Sequence, residues 1–222
     1  MKQLFIKKEN TKSLVLVFLG YGQDGRLFKC LEQSSYDVAV VYDYEDLSFD
    51  ESLYQEYQSI NIIAWSMGVM MAPLILDKTN LLSKVIFSAA LNGTIEGIDD
   101  NYGIPLVMWQ ATIDAISADN VLKFYRRMCL NKADYDNYLE YKPVRSVESL
   151  KNELEKIKEW ALLPKVNSFS YDLAIIGNKD RIINPKNQFS SWNIKSSDLI
   201  QKDDLAHFSK EQFIKILELC KE

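Results

Sequence analysis

Ser66 stands in Ile60-Asn61-Ile62-Ile63-Ala64-Trp65-Ser66-Met67-Gly68-Val69-Met70-Met71-Ala72, where a β-branched apolar run stops at a serine and a helix-capable apolar run follows. A small residue lies two positions before the serine and a glycine two positions after it. That spacing is the sequence form of a sharp strand-to-helix turn that lifts a serine hydroxyl above a sheet edge, where it can act as a nucleophile. The turn brings neighbouring backbones nearly into contact, so positions 64 and 68 tolerate little side chain. Ala64 replaces the glycine usual at the first of them and keeps the small size. The helix that follows begins with free N–H groups that favour negative charge. The plainer reading is a serine that caps a helix.

A serine nucleophile needs a general base that titrates near neutral pH, and imidazole is the side chain that does so unaided. The chain has one histidine, His207, so no other imidazole can serve. In sheets with this serine turn the partners follow in the order serine, acid, histidine, and His207 lies late enough for that. The acid belongs in a loop after a late strand. Gly177-Asn178-Lys179-Asp180-Arg181-Ile182-Ile183-Asn184-Pro185 has the form of such a loop and makes Asp180 the candidate to orient the imidazole. Asp180 could instead be a turn aspartate paired with Lys179 or Arg181. Asp114, after the apolar run Ile104–Trp109, is the alternative acid. Asp203 and Asp204 are too near His207 in sequence and are read as shaping its turn.

Acyl transfer from an ester also needs donors for the oxyanion. One comes from the residue after the nucleophile and one from the loop after an early strand. Those positions are Met67 and Tyr21, the latter within Phe18-Leu19-Gly20-Tyr21-Gly22. The two glycines also suit an ordinary tight turn. Gly20 to Gly25 fits a G-x-G-x-x-G spacing, with Asp43 near the distance of a ribose carboxylate, but a dinucleotide site explains neither the serine turn nor the late histidine. Asp43, Glu45 and Asp46 cluster without further metal ligands and read as a strand-end turn. Lys123-Phe124-Tyr125-Arg126-Arg127-Met128 gathers cations on an otherwise acidic chain; it is either a solvated helix face or a surface for an acidic partner.

The elements that must position these residues follow from the pattern of short apolar runs. Leu14–Leu19, Val38–Tyr42, Ile60–Trp65, Val85–Ser88, Ile104–Trp109 and Leu173–Gly177 read as buried strands; residues 1–8 form an amphipathic first strand and Ser197–Gln201 a polar last one. Alternation with helices implies a mainly parallel sheet with helices on both faces, an α/β class. Ala118–Asn131, Asp134–Tyr141 and Val147–Leu162 read as helices of an insertion at about 112–164, after the sixth strand, where such folds carry a lid. With 222 residues and 47% hydrophobic content the chain suits one domain. A net charge of −5 argues against nucleic acid, and no run reaches the ~20 apolar residues of a membrane span. The three cysteines, Cys30, Cys129 and Cys220, have neither disulfide nor metal spacing. A soluble, reduced, cytoplasmic protein is expected, without cofactor or metal.

Taken in order, Phe18–Gly22, Tyr42–Leu47, Ala64–Val69, Tyr102–Pro105, Lys123–Cys129 and the Asp180 and His207 loops resemble the BioG-type pimeloyl-[acyl-carrier-protein] methyl ester esterases of biotin synthesis. The resemblance covers nearly the whole chain, and A-W-S-M-G and R-R-M-C are its specific parts. It implies an α/β-hydrolase fold with a small helical lid, Ser66 as nucleophile, Asp180 as acid and His207 as base. It also implies an acyl carrier protein bearing methyl pimelate as partner, with Arg126 and Arg127 as docking residues. Tyr21 stands where relatives often have tryptophan. The pimeloyl chain is expected between sheet and lid, against Met108, Trp109 and Phe124. A general carboxylesterase or acyl-thioesterase, or a non-catalytic binding protein on the same fold, are the alternatives.

Overall fold

The computed structural model describes residues 1–166, 168–193 and 198–221. Its sheet has seven strands: β1 (Lys2–Lys7), β2 (Ser13–Phe18), β3 (Asp37–Tyr42), β4 (Ser59–Trp65), β5 (Val85–Leu91), β6 (Leu173–Gly177) and β7 (Asp198–Lys202). They lie in the order β1-β3-β2-β4-β5-β6-β7, with β1 antiparallel to β3 and every other pair parallel. The central strands are buried along nearly their whole length and mostly apolar, because both faces of the sheet are covered; Asp37, Asn61 and Ser88 are their buried polar residues. In β2, Leu14, Leu16 and Phe18 enter one core while Val15 and Val17, followed by Leu19, enter the other. The period of two that hides in an all-apolar run reappears as a division between two cores. The edge strands β1 and β7 are partly exposed, as their polar residues anticipate. The last strand covers 198–202; residue 197 of its expected range lies outside the described residues.

Helices α1 (Gly68–Leu76), α2 (Leu106–Asp114), α3 (Ala118–Met128), α4 (Lys132–Glu140), α5 (Val147–Trp160), α6 (Pro185–Trp192) and α7 (Lys210–Leu217) complete the fold. Ser117, Asn131, Ser146, Asn184 and Ser209 cap five of them, each side chain accepting an N–H of the first turn. Among the described residues no helix is long and apolar enough to cross a membrane.

One expected strand is a helix. Ile104–Trp109 reads as a buried strand, yet α2 begins at Leu106, with Pro105 as its extended N-cap. A short apolar run cannot by itself distinguish strand from helix. Here the run is not buried as a strand would be: Val107 is 72% exposed, while Trp109 and Ile113, four residues apart on one helical face, carry the packing. The helical run α2–α5 therefore starts at 106 and follows the fifth strand, not the sixth.

Strand order places the site. The chain leaves β2 for β3 on one side and returns to β4 on the other, so β2 and β4 are neighbours, with Phe18 beside Ala64. The loops leaving their carboxyl ends diverge at this point, the crevice where open α/β sheets bind ligands.

Candidate active site

Ser66 leaves β4 with φ +56°, the left-handed conformation that throws its side chain out of the strand direction. Its N–H donates to Leu91 O on β5 at 3.0 Å, and its carbonyl accepts Val69 N–H at 3.1 Å as α1 begins. A Cβ on Gly68 would collide with the carbonyls of Phe18 and Leu19, which is why position 68 must be glycine. One on Gly20 would stand 3.0 Å from Ser66 Cβ, so the β2 loop and the serine turn are pressed together.

His207, in the loop after β7, is 1% exposed; its Nε2 lies 2.9 Å from Ser66 Oγ and its Nδ1 2.8 Å from Asp180 Oδ2. Asp180 also accepts from Ile182 N–H (2.7 Å), Ile183 N–H (3.0 Å) and Gln188 Nε2 (2.8 Å). Every other partner of this carboxylate is a donor, so the ring nitrogen facing it carries the hydrogen and Nε2 is left to accept the serine proton. The nearby charges Lys179 and Arg181 form no ion pair with Asp180 among the described residues; His207 Nδ1 lies against its carboxylate instead. Asp114 is on α2, exposed, and accepts from Gln110 Nε2 on its own helix at 2.8 Å. Asp203 accepts from Asn178 Nδ2 in the turn, also at 2.8 Å.

Tyr21 and Met67 line the same cavity as Ser66 and, among the described residues, their N–H groups donate to no protein acceptor. The Tyr21 hydroxyl is pushed well above its ordinary pKa by burial. Ser66 opens into a cavity of about 70 Å³ whose walls include Trp109 and Phe124. Tyr21, Met108, Thr112, Phe124 and Arg127 are shared with a larger hollow of about 350 Å³ between α2 and α3. The Tyr21 ring meets Phe124 and Trp109 edge-on at 5.7 and 6.3 Å between centroids. The two arginines part company: Arg127 lines both cavities and donates to Arg181 O at 2.7 Å, whereas Arg126 lies over the Tyr135 ring at 5.8 Å.

Several polar residues with a hold on the site escaped the motif reading. Asn92, after β5 at φ +44°, accepts Gly177 N–H at 2.7 Å and donates to Ala206 O (2.7 Å) and His207 O (3.0 Å). The Trp65 indole donates to the same His207 carbonyl at 2.8 Å. An Asn-Gly pair after a strand is a turn signal that could have drawn attention to Asn92. Nothing local marks Gln188. Glu153 falls between Leu150, Leu154 and Ile157 on the apolar stripe of α5, a charge on a buried face that the pattern could have flagged. Asp43 and Glu45 pair with Arg145 at 2.7 and 3.4 Å, and Asp43 pairs also with Lys2.

A family model described as pimeloyl-ACP methyl esterase BioG matches residues 1–216. A malonyl-[acyl-carrier protein] O-methyltransferase of Bacteroides fragilis is 38% identical over 201 residues, which are 90% of this chain but 40% of that protein. The chain thus spans well under half of that relative. The crystal structure of BioG from Haemophilus influenzae is 28% identical and superposes with a TM-score of 0.84 over 96% of both chains. An α/β hydrolase from a Medee basin deep-sea metagenome library, 10% identical, shares the fold at a TM-score of 0.66 over 96% of this chain and 89% of its own.

Proposed function

The chain belongs to the BioG family of pimeloyl-ACP methyl esterases and has the α/β-hydrolase fold, and from that premise we propose that it is a serine esterase that hydrolyses the methyl ester of pimeloyl-[acyl-carrier protein] to pimeloyl-[acyl-carrier protein] and methanol in biotin synthesis. The observation that carries this reading is the Ser66–His207–Asp180 hydrogen-bond chain opening on an apolar cavity.

In the reaction Ser66 Oγ attacks the ester carbonyl while His207 Nε2 takes its proton. The Tyr21 and Met67 N–H groups hold the oxyanion, each donor of this kind being worth about 3 kcal/mol. Collapse breaks the bond to methoxide, which leaves as methanol with the proton from His207. Water, deprotonated by the same imidazole, then attacks the acyl-serine; the C–O bond to Ser66 breaks and the serine regains its proton. Asp180 keeps the imidazole in the reactive tautomer throughout.

The substrate's methylene chain suits the walls between α2 and α3, since each buried CH₂ contributes about 0.8 kcal/mol. Lys123 and Arg127 at the larger hollow, with Arg126 on the same helix, offer charge for an acidic carrier. The test is mass spectrometry of methyl-pimeloyl-carrier protein after incubation with wild type and with Ser66→Ala. Loss of the methyl group with wild type alone supports the reading. An intact substrate beside Ser66-dependent cleavage of a simple aryl ester refutes the substrate and leaves the enzyme class, and cleavage at the carrier thioester makes the protein an acyl-thioesterase.

A further inference from the structure

The loop that carries the Tyr21 N–H is held from outside as well as from within. Gly22 has φ +73°, and the peptide unit joining Tyr21 to Gly22 is gripped at both ends by residues of the helical insertion or their partners. Its N–H donates to Glu153 Oε2 on α5 at 3.0 Å. Its carbonyl accepts from Gln23 Nε2 at 3.2 Å, and Gln23 Oε1 in turn accepts from the Tyr138 hydroxyl on α4 at 3.0 Å. The other oxygen of Glu153 accepts Tyr44 N–H at 3.1 Å, and the Tyr44 hydroxyl donates to Leu19 O, in the same loop, at 2.8 Å. Gln23, Tyr44 and Glu153 are fully buried and Tyr138 is 1% exposed.

Glu153 is an expensive way to make a helix pack. Burying a carboxylate costs several kcal/mol even when paired, and an apolar side chain of like volume serves stability as well or better. Burial pushes its carboxyl above the ordinary range, against Arg145 and the two N–H groups that favour the anion. Arg145, tied also to Asp43 and Ser149, supplies the countercharge. What the apolar substitute could not do is accept an N–H of the peptide plane that meets the oxyanion donor's own plane at the Tyr21 Cα, and so limit the two soft dihedrals there.

We infer that Glu153, with Gln23 and Tyr138 behind it, is a positioning set that fixes the Tyr21–Gly22 peptide and so aims the Tyr21 N–H at the oxyanion, making that donor dependent on α4 and α5 being packed in place. The inference rests on the proposed roles of Ser66 and Tyr21. Glu153 touches no reacting atom; it acts through the loop.

The test uses the full chain as wild type, Glu153→Gln and Tyr138→Phe, with p-nitrophenyl butyrate as substrate. Binding is measured for an alkyl trifluoromethyl ketone, which Ser66 converts to an oxyanion by forming an Oγ–C bond as its proton passes to His207 and the carbonyl electron pair to oxygen. The matching ether, which forms none, is the control. Glu153→Gln is expected to lower kcat about 10–100-fold with KM within about twofold, since a misaimed donor loses transition-state stabilisation and not substrate binding. Ketone affinity falls by a similar factor and ether affinity holds. Tyr138→Phe moves kcat in the same direction by about threefold or more, and decides the matter alone should Glu153→Gln not fold. The inference is overturned if kcat in the deciding variant stays within about twofold, or if ketone and ether weaken together as a distorted pocket requires. A wild type that forms no Ser66–ketone adduct brings down the serine-esterase reading itself, before any variant is compared.

Discussion

Ser66 occupies a backbone conformation that costs an L residue on the order of 1–3 kcal/mol, and the surrounding contacts with Leu91, Val69 and Gly20 hold it there. The strain is local, and so is its consequence: the hydroxyl meets His207 without any rearrangement of the strand. The two candidate acids separate sharply at this scale. Asp180 is bonded to the imidazole and to three other donors, while Asp114 faces solvent on α2. Asp180→Asn is therefore expected to lower kcat by about 10⁴, because the amide can donate to Nδ1 and favour the wrong tautomer. Asp114→Ala is expected to stay within about twofold, as for surface positions away from such contacts. Steady-state kinetics on one aryl ester decide both, and a large loss in Asp114→Ala with none in Asp180→Asn reverses the assignment.

At the scale of elements, Asn92 ties the ends of β5 and β6 to the His207 loop. It joins the end of β5 to Gly177, the last residue of β6, and to the carbonyls of Ala206 and His207. Asn92→Ala leaves the buried Gly177 N–H without its acceptor and puts alanine at φ +44°. A stability loss of about 2–4 kcal/mol is expected in urea denaturation, with a kcat loss of about tenfold as the Asp180 and His207 loops lose their common anchor. Unchanged stability would mean that the Trp65 indole alone suffices for the His207 loop.

The Ser66 turn, the Asp180 loop and the late histidine could be picked out because each sits in a short segment whose neighbours in sequence are its neighbours in space. Glu153 and Gly22, by contrast, are 131 residues apart, and Asn92 reaches Ala206 across 114. A single polar residue whose partner is that distant leaves no local trace beyond a charge on an apolar stripe or an amide in a turn. The misread α2 has another cause. Leu106, Val107 and Met108 are apolar but exposed, and Met108 faces the hollow instead of a core, so hydrophobicity there records a cavity wall and not burial in the sheet.

For the whole molecule, the net charge of −5 opposes any acidic partner at long range, while Lys123 and Arg127 meet it locally at the mouth of the hollow. Screening separates the two contributions, because the Debye length falls from about 30 Å at 0.01 M salt to about 3 Å at 1 M. If docking runs through α3, kcat/KM for the carrier-linked methyl ester is expected to fall about tenfold across that range, and that of a short free methyl ester to change by no more than about twofold. A rise with salt for the carrier-linked substrate would place the carrier on another face.

His207 is the one imidazole among 222 residues, and both of its ring nitrogens are engaged at the site. The molecule is in effect isotopically addressable by composition alone. Histidine labelled with ¹⁵N yields a magnetic-resonance spectrum with no crowd to assign, so tautomer, proton exchange and the response to an added ester can each be followed on that one imidazole, without a tag or a mutation that would disturb it.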